Sequence, residues 1–171
     1  AAAGPVPVEI TDTGYAMPER VPGGVIAMRF RNTGSLPHEF ALGRIDAGRT
    51  AAEAEAVVPA LVAGEDGPGW LEDVGGVPLL TPGAEITITR VLEPGTYVAF
   101  DAVPDTDGVR GLERGLLTTF VVEGDSGAAP PVPDAVVTAA ETRFVVPPLN
   151  AGTSTLELRN ASGAGRGFLL G

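Results

Sequence analysis

Apolar and polar residues alternate with period two through most of the first 120 residues. Residues 24–32 read GVIAMRFRN, with Ile26, Met28 and Phe30 on one side and Arg29 and Arg31 on the other. That is the signature of a strand with one buried face. His38, Phe40 and Leu42 share a parity, so the histidine faces inward with core residues. Residues 85–91 alternate Ile86 and Ile88 with Thr87 and Thr89, and Pro94-Gly95 then supplies a turn. On the following strand Tyr97, Ala99 and Asp101 lie opposite Val98 and Phe100, and residues 116–122 close the sheet. The pattern predicts an all-β sandwich.

One segment breaks the alternation. Residues 50–63, TAAEAEAVVPALVA, are rich in alanine, and Thr50 with Glu53 three residues on forms a capping box, so a helix is inserted there. Pro59 removes a backbone donor in its middle, which predicts a kink or a break into two short turns. Gly64 ends it, residues 64–76 (GEDGPGWLEDVGG) read as loop, and Trp70 plugs an edge of the sandwich. The pairs Gly23-Gly24 and Gly75-Gly76 read as turns, because nothing around them forms a phosphate loop.

The chain also repeats itself. Residues 24–43 align without gaps with residues 152–171 at an offset of 128, so that Gly24, Arg31, Asn32, Phe40, Leu42 and Gly43 recur as Gly152, Arg159, Asn160, Phe168, Leu170 and Gly171. Residues 8–22 match 136–150 more loosely, and the His38 position becomes Arg166. Residues 124–135, GDSGAAPPVPDA, form a small-residue and proline linker between the copies. The expected organisation is therefore a first domain over 1–123, a linker over 124–135, and the beginning of a second repeat over 136–171. So short a second copy cannot build its own core. Three explanations stand open: a partly built second domain, strand donation to a neighbouring molecule, and packing back on the first domain.

Two segments carry a family likeness. Asn32-Thr33-Gly34-Ser35-Leu36-Pro37-His38-Glu39-Phe40 and the Pro94-Gly95-Thr96-Tyr97 corner, in this order and spacing, resemble the cupredoxins, the plastocyanin and azurin family, in its secreted bacterial branch. The likeness spans about residues 6–123 and implies a cupredoxin-like Greek-key β-sandwich, antiparallel, with the helical insertion. It also implies where copper ligands would stand. His38 takes the first histidine position, Asp101 the thiolate position, Gly111 the second histidine position and Leu116 the axial thioether position. A blue-copper site needs a soft thiolate, two imidazoles and a weak thioether. Three of those four are replaced here, so the reading is a vestigial site with no metal and no cofactor. His38 and Asp101, both facing inward, are expected to satisfy each other by a hydrogen bond.

Composition narrows the remaining choices. The chain has 171 residues, no cysteine and one histidine, which excludes disulfides, thiol nucleophiles and zinc clusters. The net charge of −11 falls within the first 126 residues, which hold 19 acidic residues against 8 arginines, while the rest holds three of each. Such acidity repels phosphate backbones, so nucleic acid is excluded as a partner. No apolar run is long enough to span a membrane. Asp105, Asp107 and Glu113 lack calcium-loop spacing and read as turn acidity. Ser35, Ser126, Ser154 and Ser162 sit in turns, the linker or the second copy, away from any triad pattern. The start, Ala1-Ala2-Ala3-Gly4-Pro5, resembles an end left by signal-peptide removal. The expected function is a secreted, non-catalytic binding or structural module, at a cell surface or in a fibre, with a protein partner or self-association through the 136–171 strands. The competing function is electron transfer or copper handling with ligands supplied from outside the chain.

Overall fold

The structure is a computed structural model, and it describes residues 4–149, 151 and 154–163. The chain divides into two compact units, residues 1–128 and 129–171.

The first unit is a β-sandwich. Its strands are β1 (Val6–Thr11), β2 (Gly14–Ala16), β3 (Arg20–Pro22), β4 (Gly24–Asn32), β5 (His38–Ile45), β6 (Leu71–Leu80), β7 (Glu85–Leu92), β8 (Gly95–Phe100) and β9 (Leu117–Glu123), with one helix, α1 (Ala51–Val62). One sheet has the order β2-β1-β4-β7 and the other β3-β9-β8-β5-β6. Val8, Ile10, Met28 and Phe30 from the first sheet meet Phe40, Leu42, Tyr97 and Phe120 from the second in one core. Phe30 and Phe40 touch across it with ring centroids 5.0 Å apart. These are the residues that period-two alternation points inward, so burial selects the register.

Three features differ from the sequence expectation. The sandwich is not purely antiparallel: β1 runs parallel to β4, and β3 runs parallel to β9. The three short strands ahead of Gly24 cause this, because the N-terminal stretch serves first one sheet and then the other. Second, the segment expected as loop through Gly76 contributes to strand β6, paired with β5 from Ile45↔Leu71 to His38↔Leu80 with two register shifts. Gly75 and Gly76 lie within that strand rather than in a turn between elements. Both have positive φ, and a Cβ at Gly76 would stand 2.0 Å from the Phe40 carbonyl oxygen, so the irregular pairing needs glycine there.

Third, α1 is one helix through Pro59 and is not split into two turns. Its capping box is formed: Glu53 N–H donates to Thr50 Oγ1 (3.2 Å) and Thr50 N–H to Glu53 Oε2 (2.8 Å). Ala54 and Val58 bury against Ile45 and Val98 on the outer face of the second sheet. Pro59 lies on the exposed side, so its lost hydrogen bond is outweighed by packing on the other side. Trp70 packs against this same cluster, with the Arg49 guanidinium 5.3 Å from its ring centroid.

The second unit contains β10 (Ala135–Ala139), β11 (Phe144–Val145) and β12 (Leu156–Asn160), in the sheet order β11-β10-β12. β10 pairs antiparallel with β11 and parallel with β12, as β1 does with β2 and β4. Val137 faces Leu158 where Val8 faces Phe30, so β12 keeps the offset of 128 from β4. The hairpin does not: Ala139↔Phe144 corresponds to Ile10↔Tyr15, an offset of 129. The looser alignment of 8–22 with 136–150 is therefore one residue out of register, a slip that would turn every side chain to the wrong face. Residues 166–171, on which part of the sequence repeat rests, lie outside the described residues.

Candidate functional site

The four positions marked by the copper-site likeness do come together at one end of the sandwich. Asp101 follows directly on β8, and its N–H donates to the Leu116 carbonyl (3.0 Å). Leu112 N–H donates to the Asp101 carbonyl (2.8 Å), and Leu116 N–H to the Gly111 carbonyl (3.0 Å), across a 3-10 turn at Gly111–Arg114. His38 opens β5 on the facing segment.

His38 is 2 % exposed and Asp101 is fully buried. His38 Nδ1 lies 2.7 Å from Asp101 Oδ2. The expected hydrogen bond is present, and the other Asp101 oxygen, Oδ1, accepts from Val103 N–H at 2.9 Å. A second carboxylate completes the group. His38 Nε2 lies 3.1 Å from Asp12 Oδ1, so both ring nitrogens face carboxylate oxygens. Each ring nitrogen thus lies within hydrogen-bond distance of a carboxylate oxygen.

Asp12 was not marked by the sequence. It sits in the turn between β1 and β2, where an aspartate reads as ordinary turn chemistry. Its oxygens also accept from Ser35 N–H (2.8 and 3.0 Å), Ser35 Oγ (2.7 Å) and Leu36 N–H (3.0 Å). The Ser35 hydroxyl and backbone N–H, helped by His38 and Leu36, hold the Asp12 carboxyl well below the usual carboxylate range. The segment from Asn32 to His38 is shaped to make this possible. Asn32, fully buried, donates from Nδ2 to the Leu36 and Leu80 carbonyls (2.8 Å each) and accepts from Gly34 N–H (2.9 Å). A Cβ at Gly34 would stand 2.3 Å from Asp12 Oδ1, so the loop approaches the carboxylate as closely as glycine permits.

The depressed Asp12 value predicts an acid limb to stability. The contribution is complete above the unfolded aspartate value of about 4 and is lost as pH falls through the lower folded value. Asp12→Asn is therefore expected to flatten the decline in stability below about pH 4, measured by urea unfolding across pH. An unchanged acid limb would contradict it.

Around this group lie Tyr15 and Glu39. Tyr15 Oη donates to the Glu39 carbonyl (2.7 Å), and burial, with Asp101 and Glu39 nearby, pushes its hydroxyl upward. Burial also raises the Glu39 carboxyl, opposed by the Ala102 N–H that donates to Glu39 Oε1 (2.9 Å). The acidic loop beyond is committed locally. Asp105 accepts from Asp107 N–H (2.8 Å) and Val109 N–H (3.0 Å) and pairs with Arg114, while Glu113 accepts from Arg110 N–H (3.1 Å).

These residues do not fit a blue-copper centre. Both imidazole nitrogens are engaged, Leu116 is a buried aliphatic side chain, and Gly111 has no donor. A Cβ at Gly111 would stand 2.3 Å from Asp101 Oδ2, so the carboxylate occupies the room a side chain at that position would need. Among the described residues, no group of three or more histidine, cysteine, aspartate or glutamate side chains is gathered as a metal-ligand set.

The chain is similar to solved cupredoxin structures. Reduced auracyanin from Roseiflexus castenholzii is 22 % identical, with a TM-score of 0.43 over 71 % of this chain and 99 % of that one. Auracyanin A, described as a blue copper protein of Chloroflexus aurantiacus, is 21 % identical, with a TM-score of 0.43 over 70 % and 100 %. An azurin of Methylomonas sp. strain J is 16 % identical, with a TM-score of 0.43 over 71 % and 99 %. No family model and no curated protein sequence matches the chain. These solved structures are cupredoxins, and the described residues form a cupredoxin-like β-sandwich with a single α-helix.

Proposed function

We propose that this chain is a non-catalytic binding or structural module, exported to a cell surface or fibre, in which a cupredoxin-like sandwich works without copper. The observation that carries this reading is the engagement of both nitrogens of the single histidine by Asp101 and Asp12. With a carboxylate oxygen against each nitrogen, the ring is a structural link between three segments rather than a ligand. Catalysis finds no support at this site either. Ser35, the hydroxyl next to it, donates to Asp12 and does not face His38 as a nucleophile would. Function then lies in surfaces, and the strands of the second unit are the ones that make contacts with protein, including other copies of the chain. Leu158 supports this: it takes the place of Phe30 in the strand pairing yet is 57 % exposed, against 1 % for Phe30. No helix among the described residues is long and apolar enough to cross a membrane.

Copper addition tests the reading. The whole chain, titrated with Cu(II), is expected to show no strong blue charge-transfer absorption and no stoichiometric uptake in equilibrium dialysis. Stoichiometric submicromolar uptake that disappears in His38→Ala would overturn it and favour copper handling.

A further inference from the structure

The connection between α1 and β6 contains an aspartyl-glycine bond, Asp66-Gly67, inside the run Gly64-Glu65-Asp66-Gly67-Pro68. The helix cannot continue into it, since Gly64 takes a φ of 98° and Pro68 disfavours helical backbone at the residue before it. The run is tied at its two ends. Glu65 N–H donates to the Ala60 carbonyl (3.1 Å), and Leu71 N–H to the Pro68 carbonyl (3.0 Å). Between these ties Asp66 and Gly67 are exposed and follow an irregular path. The chain has a second aspartyl-glycine pair, Asp107-Gly108, and it is held differently. Gly108 N–H donates to the Asp105 carbonyl (3.0 Å) and Asp107 N–H to Asp105 Oδ1 (2.8 Å), within a loop closed by the Pro104↔Arg110 bridge. In Asp125-Ser126, where a small residue again follows the aspartate, Ser126 N–H donates to the Gly23 carbonyl (2.7 Å).

We propose that Asp66-Gly67 is a site of spontaneous backbone modification, at which Asp66 is converted to isoaspartate through a cyclic imide, with water as the only co-reactant. The Gly67 amide nitrogen attacks Asp66 Cγ. A new C–N bond forms, and the carboxyl hydroxyl and the amide proton leave together as water. Water then adds to one of the two carbonyls of the ring. Opening on the α-carbonyl side leaves the chain running through the Asp66 side chain, with an extra methylene in the main chain and a free α-carboxylate. The water lost in closure is regained in opening, so the composition of the chain is unchanged. Ring closure requires the nitrogen to turn toward the side chain of the residue before it, which an exposed, irregular segment permits. Glycine removes the Cβ that would crowd that approach. At Gly108 and Ser126 the same nitrogen is committed to a carbonyl, so closure there must first break a hydrogen bond. The product belongs to a definite substrate class, an isoaspartyl α-carboxylate open to enzymatic methyl transfer. It also lengthens the connection that leads from α1 to Trp70, the aromatic packed on the helix cluster.

Ageing of the whole chain at neutral pH, folded and in parallel in urea, tests this. Isoaspartate is read by methyl transfer from S-adenosylmethionine with a protein isoaspartyl methyltransferase, and is placed by electron-transfer fragmentation of the peptides. In the folded chain the label is expected at residue 66, about tenfold above residues 107 and 125, the factor set by a backbone hydrogen bond that must break first. In urea, where those bonds are gone, the two aspartyl-glycine pairs should react at similar rates. Asp66→Glu, which would need a larger ring, should abolish the label at this position. Folded-state label at residue 107 equal to or above that at residue 66, no label at residue 66, or label there that survives Asp66→Glu would each overturn the proposal.

Discussion

Asp101→Ala is expected to destabilise the first unit by about 1–3 kcal/mol, the range for leaving a buried hydrogen-bonding partner unsatisfied. The carboxylate is fully buried, takes His38 Nδ1 at 2.7 Å and satisfies Val103 N–H at 2.9 Å. Its removal strands an imidazole nitrogen and a backbone donor together. Urea unfolding followed by tryptophan fluorescence measures the loss, since the chain has a single tryptophan, Trp70, packed on the helix cluster of the same unit. A double-mutant cycle with His38→Ala should show coupling above about 1 kcal/mol, because the two side chains are in direct contact. A loss below about 1 kcal/mol would mean that the pair is incidental to the fold.

The second large effect is expected at Gly111, a position without positive φ, where alanine brings no backbone strain. Its added Cβ would meet Asp101 Oδ2, Cγ and Cβ at 2.3, 2.4 and 2.6 Å. Asp101 has no room to retreat, being held on the far side by His38 and in its backbone by Leu112 and Leu116. Gly111→Ala should therefore cost about 2–3 kcal/mol through overpacking. The informative comparison is in the Asp101→Ala background, where the same substitution should cost less than about 1 kcal/mol. Equal costs in both backgrounds, read from unfolding midpoints and m-values, would show that the carboxylate is not what excludes a side chain from position 111.

These expectations rest on residues of uneven legibility. Strand β4 is visible in the sequence because Ile26, Met28 and Phe30 are buried while Arg29 and Arg31 are exposed, and alternation reports that directly. Strands β5, β7 and β8 alternate too, although their faces are less cleanly divided, β8 burying Val98 opposite Tyr97 and Ala99. The inward direction of His38 and Asp101 follows from the same parity. Strand β6 is hidden because its glycines and acidic residues look like a loop, and only the close approach of Phe40 explains Gly76. Strands β2 and β3, of three residues each, fall below the length at which periodicity can speak, and alternation in β1 reports a buried face but not the parallel direction of its partner. Asp12 was illegible for a different reason. Its role depends on a contact across 26 residues to a histidine on another strand, and no local pattern encodes that distance.

The pairing of β3 with β9 has a mechanical consequence. These strands run parallel at the edge of the second sheet, with Arg20, Val21 and Pro22 beside Val121, Val122 and Glu123. Tension entering β3 at its start and leaving β9 at its end would slide one strand along the other instead of peeling them apart. The bonds from Val121 N–H to the Glu19 carbonyl (2.8 Å) and from Gly23 N–H to the Glu123 carbonyl (2.9 Å) would then be loaded together, with the Arg20–Glu123 ion pair (2.7 Å) alongside. Shared loading requires several bonds to yield at once, so this strand pair is built to resist sliding.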